Sequence, residues 1–180
     1  MKNFLAKIIC VSLISFYFLN IESVKSIVPY YYFPTIKNLQ KESLSIGKSA
    51  YQLLYFGQYK DSLNLAKLAV KLNATNEKLW LILSEAQIAN KLYKNALNSL
   101  NKAQKINANI SEIYFAKSNI YLKISQNKDA KSALETGLKI EPNNHKAIFQ
   151  LGNILLMEKN YLEAIKLFEK SVKIKPNFWQ

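Results

Sequence analysis

The sequence predicts an all-helical fold, in which one helix pair is copied four times and the copies stack as a solenoid. The first observation is composition: 49% of the 180 residues are apolar, but there are only four Gly and four Pro. So few turn residues argue against a β-sandwich. The second is an internal repeat of 34 residues, seen at Ala96, Ala130 and Ala164 and at Leu72, Ile106, Ile140 and Ile174.

The first residues predict an export signal or a membrane anchor. Lys2 and Lys7 precede an apolar run over residues 8–21, which is 14 residues long. A membrane-spanning helix needs roughly 20 residues. A short apolar run behind a basic start is typical of a signal peptide, with cleavage expected after Ser26 to remove residues 1–26 and Ser23 as a second candidate. The exported chain would then lie in the periplasm, a lumen or the extracellular space; the alternative is an uncleaved anchor formed by residues 8–21.

Residues 27–42 are expected to link this segment to the repeats. Pro29 and Pro34 prevent a helix through the four consecutive aromatic residues 30–33. We expect these rings to pack on a first helix that begins near Ile36, with Thr35 as its cap. The alternatives are that they fold back into a groove of the repeats or rest at a membrane surface.

Four units follow, and each is predicted to form two helices. Their bounds are 43–76, 77–110, 111–144 and 145–178, and residues 179–180 would open an incomplete fifth unit. In the last unit, Ile148, Leu151 and Leu155 form one apolar stripe, and Ala164 and Phe168 lie on a second. Residues 158–160 form a polar turn between the two helices, and Pro176-Asn177 ends the second helix. Stacking of the units would bury the apolar face that one helix pair cannot cover alone.

These units resemble tetratricopeptide repeats. The last unit carries the family pattern most fully, at Leu151-Gly152, Tyr161, Ala164, Phe168 and Pro176. The second unit keeps Trp80, Leu83, Tyr93, Ala96 and Ala103. The third departs from the pattern at Lys117-Ser118 and Asn127, and the first at Ser62 and Ala74. The resemblance implies a right-handed superhelix whose first helices line a concave groove, and it implies that Trp80 belongs to the core.

On this phasing, one set of side chains is expected to line a partner groove, with an apolar stripe and a polar rim. They are Tyr51, Leu54, Tyr55, Leu81, Ile82, Glu85, Ile88, Phe115, Asn119, Leu122, Lys123, Phe149, Gln150, Asn153, Leu156 and Met157. Such a groove suits a peptide or helix of another protein. The alternative is that part of the apolar stripe belongs to the core.

Some proteins of this family hold the C-terminus of a partner in a clamp of Lys, Asn and Arg. When the clamp pattern is aligned with the first unit, its positions carry Gly47, Tyr51, Ile82, Glu112 and Ala116. When it is aligned with the third unit, they carry Phe115, Asn119 and Gln150. Chaperone C-terminal tails are therefore not the expected ligands.

The charge of the chain is strongly positive, at +13, and all 25 basic residues are Lys. Lysine lacks the planar fork with which arginine reads phosphates and bases. Because the lysines are also spread along every unit, nucleic acid is not an expected partner. An anionic membrane surface remains an alternative partner.

The sequence predicts neither a cofactor nor catalysis. One His, His145, and one Cys, Cys10, cannot form a Cys/His metal site. His145 is expected at an exposed helix start. Gly47-Lys48-Ser49 is similar to the end of a phosphate-binding loop, but Glu42 occupies the place of the first Gly of that loop.

The sequence therefore favours a non-catalytic scaffold that binds a segment of another protein and helps to assemble an envelope or membrane complex. The alternatives are the repeat arm of a larger enzyme and a basic polyanion or membrane-surface binder. In the last helix, Ile165, Phe168 and Val172 are expected to have no neighbouring repeat to cover them, which predicts self-association or cover by a partner.

Overall fold

The computed structural model describes the backbone of residues 36–179 and the side chains of residues 38–177. Eight α-helices and a final 3-10 turn cover this range, and no strand is present within it. The helices are α1 Ile36–Tyr55, α2 Tyr59–Leu72, α3 Glu77–Ala89, α4 Tyr93–Ile106, α5 Ser111–Lys123, α6 Asn127–Ile140, α7 His145–Met157 and α8 Tyr161–Ile174, and the 3-10 turn is Pro176–Trp179. The predicted all-helical class is confirmed. The predictions for residues 1–26, for the aromatic segment 27–35 and for Gln180 fall outside the described residues.

The helices repeat with the predicted period to the residue. The first helices of the second, third and fourth units each have 13 residues, and the second helices of all four units each have 14. Helix α1 is longer, with 20 residues, because it begins at Ile36 as predicted. The polar turn expected at residues 158–160 is confirmed, since α7 ends at Met157 and α8 begins at Tyr161.

Each first helix ends in the same left-handed cap. At the end of α3, the amide of Lys91 donates to the Ile88 carbonyl at 2.9 Å, and the amide of Leu92 donates to the Gln87 carbonyl at 2.8 Å. Lys91 has a φ of 59°, and Gly57 adopts the corresponding conformation after α1 with a φ of 74°. These paired bonds satisfy carbonyls at the helix end and reverse the chain toward the second helix.

Small residues let the two helices of each unit approach closely. Ala96, Ala130 and Ala164 are fully or almost fully buried. In the first unit the corresponding residue is Ser62, which is also buried and donates from Oγ to the Ala50 carbonyl at 2.8 Å. The serine therefore keeps the close approach without leaving a buried hydroxyl unpaired.

Three hydrophobic clusters join each helix pair to the first helix of the next unit. The first cluster includes Ala50 of α1, Ala66 of α2 and Leu79 of α3. The second cluster is formed by Ala96, Leu100, Ala103, Ile113 and Ile120, and the third by Ala130, Leu134, Ala147, Leu151 and Ile154. Neighbouring units thus share a core, as a stacked solenoid requires.

Trp80 connects the first two clusters. Its half-buried ring packs against both, and its indole N–H donates to the Ala74 carbonyl at 2.8 Å. The ammonium of Lys102 lies 4.4 Å from the ring centroid. The core role that the resemblance implied for Trp80 agrees with this position.

The outer side of α8 differs from the expectation at two residues, Phe168 and Val172, both of which are half-buried. Phe168 is half-buried, because its ring packs over Gly152 and lies 5.2 Å from the Phe149 ring centroid. Ile165 is 52% exposed, and Leu162, which the sequence analysis did not single out, is 78% exposed. The uncovered apolar surface of α8 therefore centres on Leu162 and Ile165.

Among the helices of residues 36–179, none has both the length and the apolar character that crossing a bilayer requires.

Replacing Ala130 by Leu tests the close approach of α5 and α6. Because Ala130 is completely buried, the larger side chain should lower the free energy of unfolding by about 1–3 kcal/mol. Urea denaturation followed by circular dichroism measures the change. The matched control is Ser132→Leu, which adds the same side chain at an exposed position of α6 and should change stability by less than about 0.5 kcal/mol. Equal losses in the two variants would contradict this packing.

Candidate partner groove

Two depressions lie side by side along α3 and α5, with volumes of about 750 and 630 Å³. They share Glu85, Glu112 and Ala116 and therefore form one continuous surface, called here the α3–α5 groove. Its lining is Glu77, Lys78, Leu81, Glu85, Ile88, Ala89, Asn107, Asn109, Ile110, Ser111, Glu112, Phe115, Ala116, Asn119, Lys123, Ile140 and Glu141.

The floor of the groove follows from helical periodicity. On α3, Leu81 and Ile88 are seven residues apart and share one face. Both pack against the second cluster, while Phe115 of α5 packs against the third. Side chains anchored in the core in this way form a preformed apolar surface rather than a loose one.

Six of the sequence-predicted site residues line this groove: Leu81, Glu85, Ile88, Phe115, Asn119 and Lys123. Gln150 lies beside it, and its side-chain amide donates to Asn119 Oδ1 at 2.9 Å, which ties α7 to α5.

Four other predicted residues take part in core packing. Leu54 and Ile82 are half-buried against the first cluster, and Leu122 is half-buried against the third. Phe149 is half-buried, and its ring packs against that of Phe168 at an interplanar angle of 49°. Gly47, which lies one repeat of 34 residues before Leu81, is buried against Leu79 and Ile82 and is absent from the groove lining.

The remaining predicted residues lie at the two ends of the stack. Tyr51 and Tyr55 are 54% and 87% exposed in the first unit. Leu156 and Met157 are 46% and 57% exposed in the fourth. Asn153 is half-buried and also lies outside the α3–α5 groove lining.

Three carboxylates at the mouth of the groove were not among the site residues predicted from the sequence. Glu77 and Glu112 lie in the first turns of α3 and α5, and Glu141 caps the end of α6. The Ser111 hydroxyl lies 2.8 Å from Glu141 Oε2 and 3.2 Å from Glu112 Oε2 and donates to this pair. Glu77 and Glu112 precede the first-helix positions from which the groove was predicted, and Glu141 lies in the loop after α6.

Charge within the groove differs from charge elsewhere on the chain. Four of the twelve acidic residues of the sequence line the groove, together with the lysines Lys78 and Lys123. Glu85 is exposed as a residue, but partial desolvation of its carboxylate within the groove raises its pKa above the usual value for glutamate. Lys131 and Glu158 form an ion pair at 2.7 Å, and this pair lies outside the groove.

The described residues contain no group of three or more His, Cys, Asp or Glu side chains placed to hold a metal ion. His145 is half-buried at the start of α7 rather than exposed, and its carbonyl accepts a hydrogen bond from Ser171 Oγ at 2.8 Å. A second surface depression, of about 690 Å³, is lined by Asn98, Asn101, Lys102, Gln104, Lys105 and Ala108. Its lining lacks large aliphatic and aromatic side chains, so it offers a polar surface with which the groove can be compared.

Comparison with known proteins identifies the repeats. Sequence models of the tetratricopeptide repeat match residues 111–144 and 145–178. The fold resembles a crystal structure of MamA, with a TM-score of 0.68 and 20% identity over 78% of this chain and 86% of that one. It also resembles TTC0263, a thermophilic TPR protein of Thermus thermophilus, with a TM-score of 0.68 and 18% identity over 76% and 75% of the two chains.

A third similar structure is the first TPR of Spaghetti (RPAP3) bound to the HSP90 peptide SRMEEVD. Its TM-score is 0.63, with 19% identity over 67% of this chain and 95% of that one. A search of curated proteins gave no match to the sequence. The third and fourth units are therefore tetratricopeptide repeats, and residues 36–179 have the helical solenoid fold of TPR proteins.

The raised pKa of Glu85 predicts a pH-dependent effect of Glu85→Gln. Between the usual glutamate pKa and the raised value, the folded chain binds a proton that the unfolded chain has released, so stability falls as pH rises through this interval. The substitution removes that loss and should raise the melting temperature slightly at pH 7 but not below about pH 4. Thermal melts at the two pH values measure this, with Glu169→Gln on α8 as an exposed control. A lower melting temperature for Glu85→Gln at pH 7 would contradict the assignment.

Proposed function

We propose that this chain is a non-catalytic scaffold that holds a segment of a partner protein in the α3–α5 groove. The observation that carries the proposal is the continuity of two depressions over a floor of core-anchored side chains, Leu81, Ile88 and Phe115. An apolar floor with a polar rim is the usual form of a peptide-binding groove. The TPR of Spaghetti, which shares this fold, holds a short peptide.

The proposal assigns the binding work to the repeats. TPR folds are typically interaction scaffolds. The repeat arm of a larger enzyme, the alternative raised by the sequence, would use the same groove to recruit a substrate or a second subunit. In both cases the groove is the binding surface of residues 36–179.

We further propose that the scaffold acts at a membrane or in an exported compartment, in the assembly of an envelope or membrane complex. The support is the basic start and apolar run of residues 8–21. Exposed lysines on the second helices, among them Lys94, Lys128 and Lys170, would favour an anionic membrane surface.

Photo-crosslinking tests the groove directly. A photoreactive phenylalanine analogue replaces Asn119, which is exposed at the groove rim, and the full chain is irradiated in its source cells. We expect a discrete protein adduct, which Ala116→Trp in the same chain should reduce at least tenfold by filling the floor of the groove. The matched control places the analogue at Asn98, in the polar depression on α4. The same adducts at both positions would contradict the proposal.

We also propose that the outer side of α8 is covered by a second copy of this chain. At the position of Leu162, the other three units carry exposed lysines, Lys60, Lys94 and Lys128. The fourth unit instead presents a leucine that is 78% exposed, beside Ile165 at 52%. A leucine in place of the exposed lysine of the other units indicates a contact surface, because burying its side chain would gain about 1.5–3 kcal/mol.

Leu162→Lys restores the residue that the other units carry at this position. The variant should therefore be monomeric under conditions in which the unmodified chain forms dimers. Light scattering coupled to size-exclusion chromatography, over a tenfold range of concentration, measures this difference. The control is Lys128→Arg, which keeps the positive charge at the corresponding position of the third unit. A monomeric unmodified chain at every concentration would remove self-association through α8.

A further inference from the structure

We propose that the occupant of the α3–α5 groove is a basic amphipathic segment of a partner protein, in which lysine or arginine alternates with apolar side chains. This inference rests on the proposed function, since it names the chemistry of the segment that the groove would hold.

Charge is distributed unevenly between the groove and the rest of the chain. The whole chain has a net charge of +13, with 25 lysines and 12 acidic residues. The groove reverses this ratio, because Glu77, Glu85, Glu112 and Glu141 line it with only two lysines, Lys78 and Lys123. A carboxylate-rich surface on an otherwise basic protein is complementary to a cationic partner.

Helix stability accounts for two of the four carboxylates. Glu77 and Glu112 lie in the first turns of α3 and α5, where the helix dipole favours a negative charge. It does not account for Glu141, which caps the C-terminal end of α6, where a negative charge is unfavourable. Nor does it account for Glu85, which lies in the second half of α3.

The surroundings of these two residues show that the charges come at a cost. Glu85 remains accessible, but it lines both depressions, and the partial desolvation there raises the pKa of its carboxylate, so the ionised form is less stable than in open solvent. Glu141 and Glu112 are drawn together by the Ser111 hydroxyl, at 2.8 and 3.2 Å, although like charges repel each other. A cation from a partner would relieve both costs when it binds.

Salt screens the interaction between charges over a short distance, so a bound segment responds mainly to the charges nearest to it. At physiological ionic strength, the interaction between exposed charges is screened over about 8 Å. A segment seated in the groove would therefore interact mainly with the rim carboxylates rather than with the lysines elsewhere on the chain. Net charge would attract an acidic segment, but the groove itself should favour a basic one.

The floor of the groove requires that the segment be amphipathic. Leu81, Ile88 and Phe115 offer an apolar strip, which gains from covering only if the ligand brings apolar side chains. A purely polybasic segment would neutralise the rim but leave this strip in water. The two requirements together define one face with lysine or arginine and another with leucine, isoleucine or phenylalanine.

Three labelled peptides of equal length test this inference on the full chain by fluorescence anisotropy at physiological salt. The first carries leucine on one helical face and lysine on the other. The second replaces lysine by glutamate, and the third keeps lysine but replaces leucine by serine. We expect the first peptide to bind at least tenfold more tightly than either of the others.

Variants of the chain locate the effect. Glu85→Gln combined with Glu112→Gln should weaken binding of the lysine–leucine peptide at least fivefold. The control, Glu163→Gln with Glu169→Gln, makes the same change in net charge on α8, outside the groove lining, and should leave binding unchanged. The reversal Glu85→Lys with Glu112→Lys should make the glutamate–leucine peptide the tighter ligand. Thermal melts of each variant exclude loss of the fold as a cause.

The outcomes separate this inference from the proposed function. Equal or tighter binding of the glutamate–leucine peptide to the unmodified chain would overturn the inference, and so would equal weakening by the control variant or no binding of any peptide. The proposed function would still stand in each case if the analogue at Asn119 captured a partner that the Asn98 control did not. Failure of that crosslink would instead count against the groove itself.

Discussion

The whole structure depends on burial of apolar side chains between one helix pair and the next. In the second cluster, Leu100 of α4 is completely buried together with Ile113 and Ile120 of α5. Full burial of such side chains is worth about 1.5–3 kcal/mol each, and a single helix pair would leave many of them in water. The fold is therefore stable only as a stack, and the buried alanine columns are what allow the helices to come close enough to share a core.

The partner groove is a consequence of this shared core. Leu81 and Ile88 pack against the second cluster with one part of their surface and line the groove with another. The floor is thus fixed by the interactions that hold the repeats together, and it needs little ordering before it can bind. Discrimination between partners then falls to the polar rim, which includes Glu85 and residues of the loops between units.

The rim also explains how a strongly basic chain could select a cationic segment. Total charge governs the approach of a partner at long range, whereas a seated segment responds to groups within about one screening length. Glu85, Glu112 and Glu141 are concentrated within the groove lining, while most of the lysines lie elsewhere on the chain. A global property of the sequence and a local property of the surface can therefore have opposite signs.

The sequence by itself determined the period, the turn at residues 158–160 and the columns of small residues, because these follow from local spacing that repeats along the chain. The tertiary structure decided which apolar columns belong to the core. Adjacent helical positions differ by about 100° in direction, so Ile82 lies against the first cluster while its neighbour Leu81 reaches the groove. It also decided that Ser111 meets Glu141, 30 residues away in sequence. Sequence spacing does not predict that contact, because it depends on how one repeat packs against the next.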